Sequence, residues 1–173
     1  MTRRYERTLP QLTLGGVTET TNAGVGDEHD FYLTPAWVTL AILPHLRSFH
    51  SALDPCCGDG GILGALPSRV LRKGLEIDPV RARRCRERFM IEPTICDSLE
   101  EGFRWPSVDL VIQNPPFELA IEFVRAALRF LHAGGCFEVA VLLRLAFLET
   151  KERAQFHREN PSDVYPLATR PAF

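Results

Sequence analysis

Four consecutive residues, Asn114-Pro115-Pro116-Phe117, combine groups that can act on a planar nitrogen compound. Two prolines remove two backbone donors and fix φ, which stiffens the turn and leaves carbonyls outward. Asn114 adds a side-chain carbonyl and Phe117 a flat apolar face. Two acceptors beside a ring suit a planar group that bears an exocyclic amine. The same four residues also read as a Pro-Pro loop with Asn as a turn residue. The run Val108-Asp109-Leu110-Val111-Ile112 before them is short, apolar and β-branched, as a buried parallel strand is, and Leu119 to Leu131 has helical spacing. The turn therefore stands where a strand hands over to a helix, the edge of an open α/β sheet at which ligands bind.

A second group surrounds Asp54-Pro55-Cys56-Cys57-Gly58-Asp59-Gly60-Gly61, between a short strand at 51–54 and a helix beginning near Ile62. Glycines let a backbone approach a ligand closely and adopt positive φ. The spacing lacks the longer dinucleotide or P-loop pattern, and no lysine follows for phosphates. Asp54 suits an ammonium group better than a pyrophosphate. Glu76 ends the next strand, where an acid can hold both hydroxyls of a ribose. Ile77 beside it offers an apolar face to an adenine ring, and Asp97, ending a third strand, can accept from the adenine amine. Each acid alone reads as a loop residue; three at successive strand ends around one Gly-rich turn call for a ligand.

The elements that position these residues alternate. Strands are expected at 51–54, 70–78, 94–96, 108–112 and 137–143. Helices are expected from Thr34-Pro35 toward Leu46 with a kink or stop at Pro44, and at 62–66, 79–90, 119–132 and 149–159. Thr34 is the expected N-cap of the first, with Pro35 at its first position. This order predicts an α/β, doubly wound, mostly parallel, Rossmann-like sheet with helices on both faces. Residues 1–28 read as a flexible polar arm, and 29–173 as one domain. Of 173 residues, 45% are hydrophobic and 24% charged, and the net charge is −2. Overall charge thus makes no case for nucleic acid or membrane, and a polyanion must be held by a local basic patch. No apolar run approaches the roughly 18–20 residues of a membrane span. Five cysteines, without disulfide or zinc spacing, fit a reducing cytoplasm and no metal site.

With these motifs in order, the chain resembles a class I S-adenosylmethionine-dependent amino-methyltransferase. It is similar to the DNA N6-adenine methyltransferases, particularly small phage-type ones, with the motif order of gamma-type members. The resemblance covers roughly residues 30 to 145. It implies that the domain at 29–173 is a methyltransferase domain with S-adenosyl-L-methionine as cofactor. Phe31, Tyr32 and Thr34 belong to a segment resembling the one that closes over the methionine end. Asp54, Pro55, Cys56, Gly58 and Gly60 resemble the cofactor loop, Glu76 and Ile77 the ribose and adenine contacts, and Asp97 the adenine acid. Asn114, Pro115, Pro116 and Phe117 match the catalytic motif, with Asn114 also beside the cofactor. Asn114 and the Pro115 carbonyl would accept from the adenine N6 amine while Phe117 stacks on the flipped base.

The chain departs from the pattern in ending at Phe173, so the antiparallel seventh strand is absent or lies outside this sequence. There is also no room for a separate recognition domain, which leaves a homodimer or a specificity partner open. Arg144, Phe147 and Arg170 are candidate contacts to DNA, double- or single-stranded, though Phe147 reads more readily as core. Arg81, Arg83, Arg84, Arg86 and Arg88 make a dense basic helix, a local patch for DNA or, the better reading, a solvated face balanced by Glu87 and Glu92. RNA bases, protein glutamine, and a non-catalytic subunit of a heteromeric enzyme remain alternatives.

Overall fold

The computed structural model describes residues 33–169 and 171. The arm expected at 1–28 and the candidates Phe31, Tyr32 and Arg170 lie outside the described residues.

Five strands form one parallel sheet: β1 (Ser51–Asp54), β2 (Leu71–Glu76), β3 (Thr94–Ile95), β4 (Leu110–Gln113) and β5 (Glu138–Val141), in the order β3-β2-β1-β4-β5. The chain winds outward from β1 to β3, then crosses back to place β4 on the other side of β1. That makes β1 and β4 the point where strand order reverses, the crevice at which doubly wound sheets bind ligands. Because all strands are parallel, the residues that follow them share one edge. Asp54, Glu76 and Asn114 therefore meet there by topology.

Period-two alternation sorts the core onto two faces. Ala52, Leu110 and Ile112 pack with Ile62, Leu63, Cys85 and Phe89, which come from α2 (Gly61–Ala65) and α3 (Pro79–Phe89). Ile42, at the end of α1 (Ala36–Ile42), joins this cluster. Leu53, Leu75 and Val111 pack instead with Ala127, Phe130 and Leu131 of α4 (Ala120–His132) and with Trp105. A third cluster joins Ala120 and Val124 of α4 to Phe147 and to Phe156 of α5 (Lys151–Glu159).

Local chemistry sets the helix ends. At α3, the Asp78 side chain accepts from Val80 N at 2.7 Å and Pro79 opens the helix. At α4, Gly134 at φ +76° lets the chain turn back, and Gly135 N donates to Phe130 O. The first helix departs from expectation. Its N-cap is Pro35, with no side-chain cap, and the chain tightens into a 3-10 turn at Leu43–His45 around Pro44, so it stops short of Leu46. Thr34 is not the cap because its hydroxyl is engaged elsewhere. Among the described residues no further strand follows β5, and no helix is long and apolar enough to cross a membrane.

Candidate functional site

The loop after β1 is shaped by glycine. Gly58 and Gly60 lie at φ +55° and +85°, where a side chain costs about 1–2 kcal/mol. A Cβ on Gly60 would also collide with Cys85 Sγ, and one on Gly61 would stand 2.7 Å from the Thr34 carbonyl oxygen. The loop is thus wedged between α3 and the segment that leads into α1.

Two buried acids anchor it. Glu76 is 6% exposed, and its Oε2 accepts from Gly58 N at 2.6 Å while Oε1 accepts from Asp78 N at 2.9 Å. A carboxylate offers about four acceptor positions, so two remain for hydroxyls of a ligand after the loop is held. Asp54 is 2% exposed, and its Oδ1 accepts from Cys56 N at 3.1 Å. Burial pushes its carboxyl from 3.8 up to about 7, against the lowering effect of the Cys56 hydrogen bonds, and the Glu76 charge adds to the rise. Among the described residues no ion pair involves Asp54, and a cation placed against it would restore its ordinary acidity. This chemistry fits the ammonium end of an amino-acid cofactor. Ile77, 66% exposed beside Glu76, leaves an apolar surface for a flat ring.

Asp97 follows β3 and is exposed, with Oδ1 accepting from Leu99 N at 2.9 Å. Its neighbour Ser98 was not singled out from the sequence. Ser98 is buried, its Oγ donates to Pro55 O at 2.6 Å, and its backbone carbonyl accepts from Trp105 Nε1 at 2.8 Å. It ties the loop after β3 to the loop after β1, so Asp97 and Asp54 are held in one frame. A serine after a strand-end acid carries no signal of this by itself.

On the other side of the crevice, Asn114 Nδ2 donates to Thr34 Oγ1 at 3.0 Å. With the amide nitrogen so directed, Oδ1 is the acceptor turned away from Thr34. Pro115 is buried, and Pro116 and Phe117 are half-buried. The Arg144 guanidinium lies 3.4 Å from the Phe117 ring centroid, over one face, a cation–π contact between two residues expected near substrate. Phe147, read from the sequence either as a second ring for a base or as core, lies in the packed cluster beside α4. It is 5% exposed, packed with Ala120 and Val124, and carries Arg153 over its ring at 4.4 Å. Burial in this cluster gives it a packing role.

The arginines of α3 are engaged with acids. Arg83 pairs with Glu87 along the helix, Arg86 with Glu92 past its end and Arg81 with the N-cap Asp78. Arg84 and Arg88 instead flank Oδ2 of Asp59, at 4.0 and 3.6 Å, within the Gly-rich loop. Two members of the apparent solvated face thus brace that loop against α3. Burial raises the Asp59 pKa, while Arg84 and Arg88 oppose the rise.

No protein-family model matches the chain, and no curated protein does. Among solved structures, TrmN from Thermus thermophilus is similar over 54% of this chain and 33% of its own, with 25% identity and a TM-score of 0.44. Trm5b from Pyrococcus abyssi is similar over 58% of this chain and 32% of its own, with 20% identity and a TM-score of 0.47. An RNA methyltransferase from Salinibacter ruber, in complex with S-adenosyl-L-homocysteine, is similar over 60% of this chain and 70% of its own, at 20% identity and a TM-score of 0.45. The chain spans about a third of the length of the first two. The fold assignment rests on the strand order and parallel pairing described above.

Proposed function

We propose that this chain is an S-adenosylmethionine-dependent methyltransferase acting on the exocyclic N6 amine of adenine in DNA. The observation that carries the reading is the pair of groups across the β1–β4 crevice. Asp54 is buried on one side with no ion pair among the described residues, and Asn114 on the other has its amide nitrogen directed to Thr34.

When bound, the cofactor supplies a methyl group on a sulfonium, already activated for transfer. Asp54 accepts from its ammonium, and the free acceptor positions of Glu76 take the ribose hydroxyls. Ile77 lies against the adenine ring, and Asp97 accepts from the adenine amine. On the substrate side, the problem is an aromatic amine whose lone pair is delocalised. Asn114 Oδ1 and the Pro115 carbonyl accept from the two N–H bonds, draw the nitrogen toward tetrahedral geometry and stabilise the positive charge that develops on it. Thr34 Oγ1 keeps the Asn114 carbonyl facing the amine. Phe117 stacks on the base, and the Arg144 guanidinium on the ring sets which face remains for it. Positioning the amine in line with the methyl is the principal contribution of the protein.

The test is label transfer from methyl-labelled S-adenosylmethionine to duplex DNA, single-stranded DNA, RNA and mixed protein, with Asn114→Ala as control. Label recovered as N6-methyladenine in DNA, and lost in the variant while cofactor binding persists, is the expected result. Label in RNA or protein alone overturns the substrate and keeps the chemistry. No label, despite tight cofactor binding, moves the chain to a subunit that needs a partner.

A further inference from the structure

The groove between α4 and α5 is built from the cations that the site does not use. It has a volume of about 450 Å³ and is lined by Arg125, Arg129, His132, Gln155, Phe156 and Asn160 among others. Arg125, Arg129 and His132 recur at i, i+4 and i+7, so they share one face of α4. At 1.5 Å per residue they rise along the axis in steps of about 6 and 4.5 Å. Arg125 and Arg129 are exposed, and among the described residues neither forms an ion pair. Arg125 lies 5.9 Å from the centroid of Phe156, which puts a ring on the wall of the groove. The carboxylate lining it, Glu159, accepts from Gln155 Nε2 at 2.8 Å.

Charge makes this row significant. The chain is net negative, at −2, so a polyanion depends on a local concentration of cations. The densest arginine cluster, on α3, is engaged by Asp59, Asp78, Glu87 and Glu92. The row on α4 is not. It is also continuous with the candidate catalytic turn: α4 begins directly behind the 3-10 turn at Phe117–Leu119, and Arg125 stands about 8 Å along the axis from Ala120.

We propose that the α4–α5 groove binds the phosphodiester backbone of a nucleic-acid strand, with Arg125 and Arg129 as guanidinium forks on successive phosphates, while the target base reaches Asn114. The inference rests on the functional reading above and extends it to a backbone track that leads away from the crevice. Guanidinium forks match phosphate oxygens two at a time, and such contacts set register and affinity without reading sequence.

The experiment measures fluorescence anisotropy of labelled single-stranded and duplex oligonucleotides with the full chain over a series of salt concentrations. Arg125→Ala/Arg129→Ala and Arg125→Lys/Arg129→Lys are compared with wild type. The alanine pair is expected to weaken binding at least roughly tenfold at low salt and to reduce the slope of log affinity against log salt by about 2. The lysine pair keeps most of the slope. Both pairs keep wild-type melting and S-adenosylmethionine affinity, which excludes misfolding as the cause. Unchanged affinity and slope in the alanine pair, or wild-type chain that binds no oligonucleotide, overturns the inference. Failure of the methyl-transfer reading has a different signature: no label in DNA with the arginine-dependent slope intact.

Discussion

Asp54→Asn separates the cost of a buried charge from its purpose. Asp54 is 2% exposed and its carboxyl is pushed from 3.8 to about 7, chiefly by burial. The folded chain therefore holds a proton at this position up to about pH 7, whereas the unfolded chain releases it near 3.8. Between those values the folded state binds more protons, so stability is present at low pH and falls as pH rises, by up to about 1.4 kcal/mol per pH unit. A displacement of about three pH units amounts to about 4 kcal/mol lost by pH 8. That is a large part of the roughly 5–15 kcal/mol typical of a domain. Asparagine keeps the shape and the acceptor for Cys56 N without the charge. Urea denaturation from pH 4.5 to 8 is expected to show wild type and variant nearly equal at the acid end and the variant more stable by several kcal/mol at pH 8. Asp59 is also raised, and Asp109 is lowered by the backbone amide of His50 so that its contribution is lost only in acid, but both are present in each protein and cancel in the difference. A wild-type-to-variant difference that stays constant across this range would refute the reasoning. The functional corollary is that a cation against Asp54 returns its pKa toward ordinary values. Binding of S-adenosylmethionine at pH 6 should then release close to one proton, seen by calorimetry in buffers of different ionisation enthalpy, and the affinity should climb about tenfold per pH unit up to about 7.

Two further substitutions separate packing from substrate contact. Phe147→Ala empties a buried position among Ala120, Val124 and Phe156 and is expected to cost about 3–5 kcal/mol in chemical denaturation; a stable variant with impaired base binding would return the ring to the substrate. Arg144→Ala removes an exposed guanidinium from the Phe117 ring, with about 0.5–1 kcal/mol or less of stability at stake. Its expected effect is a several-fold rise in KM for nucleic acid at unchanged cofactor affinity, and an unchanged KM counts against a substrate role.

Much of the fold was legible because its signals are local and strong. The β-branched run ending at Ile112, the Asp78-Pro79 helix start and the Gly134-Gly135 break each declare an element within a few residues. Alternation of strands and helices then leaves few arrangements other than a parallel doubly wound sheet. The acids were legible for a related reason: parallel strands put their last residues on one edge, so position along the chain translates into position in space. What escaped were side chains whose partner lies far along the sequence. Among the α3 arginines, Arg83 meets Glu87 four residues on, and Arg86 meets Glu92 just past the helix end. Asp59, which engages Arg84 and Arg88, sits in another loop.

Thr34 shows why a sound local rule can fail at a site. Threonine before proline at a helix start favours an N-cap, worth about 1 kcal/mol. Here the hydroxyl accepts from Asn114, 80 residues away, and the helix begins without a side-chain cap. The Thr34 carbonyl oxygen is meanwhile close to Gly61, where a Cβ would come within 2.7 Å. A cap would stabilise α1 alone. The observed contact instead joins the segment before α1, the Gly-rich loop and the Asn-Pro-Pro-Phe turn into one assembly around the β1–β4 crevice. The three segments are far apart in sequence, and each has a bland reading alone. A shared hydrogen bond and a backbone contact that excludes a side chain make them a single structural unit.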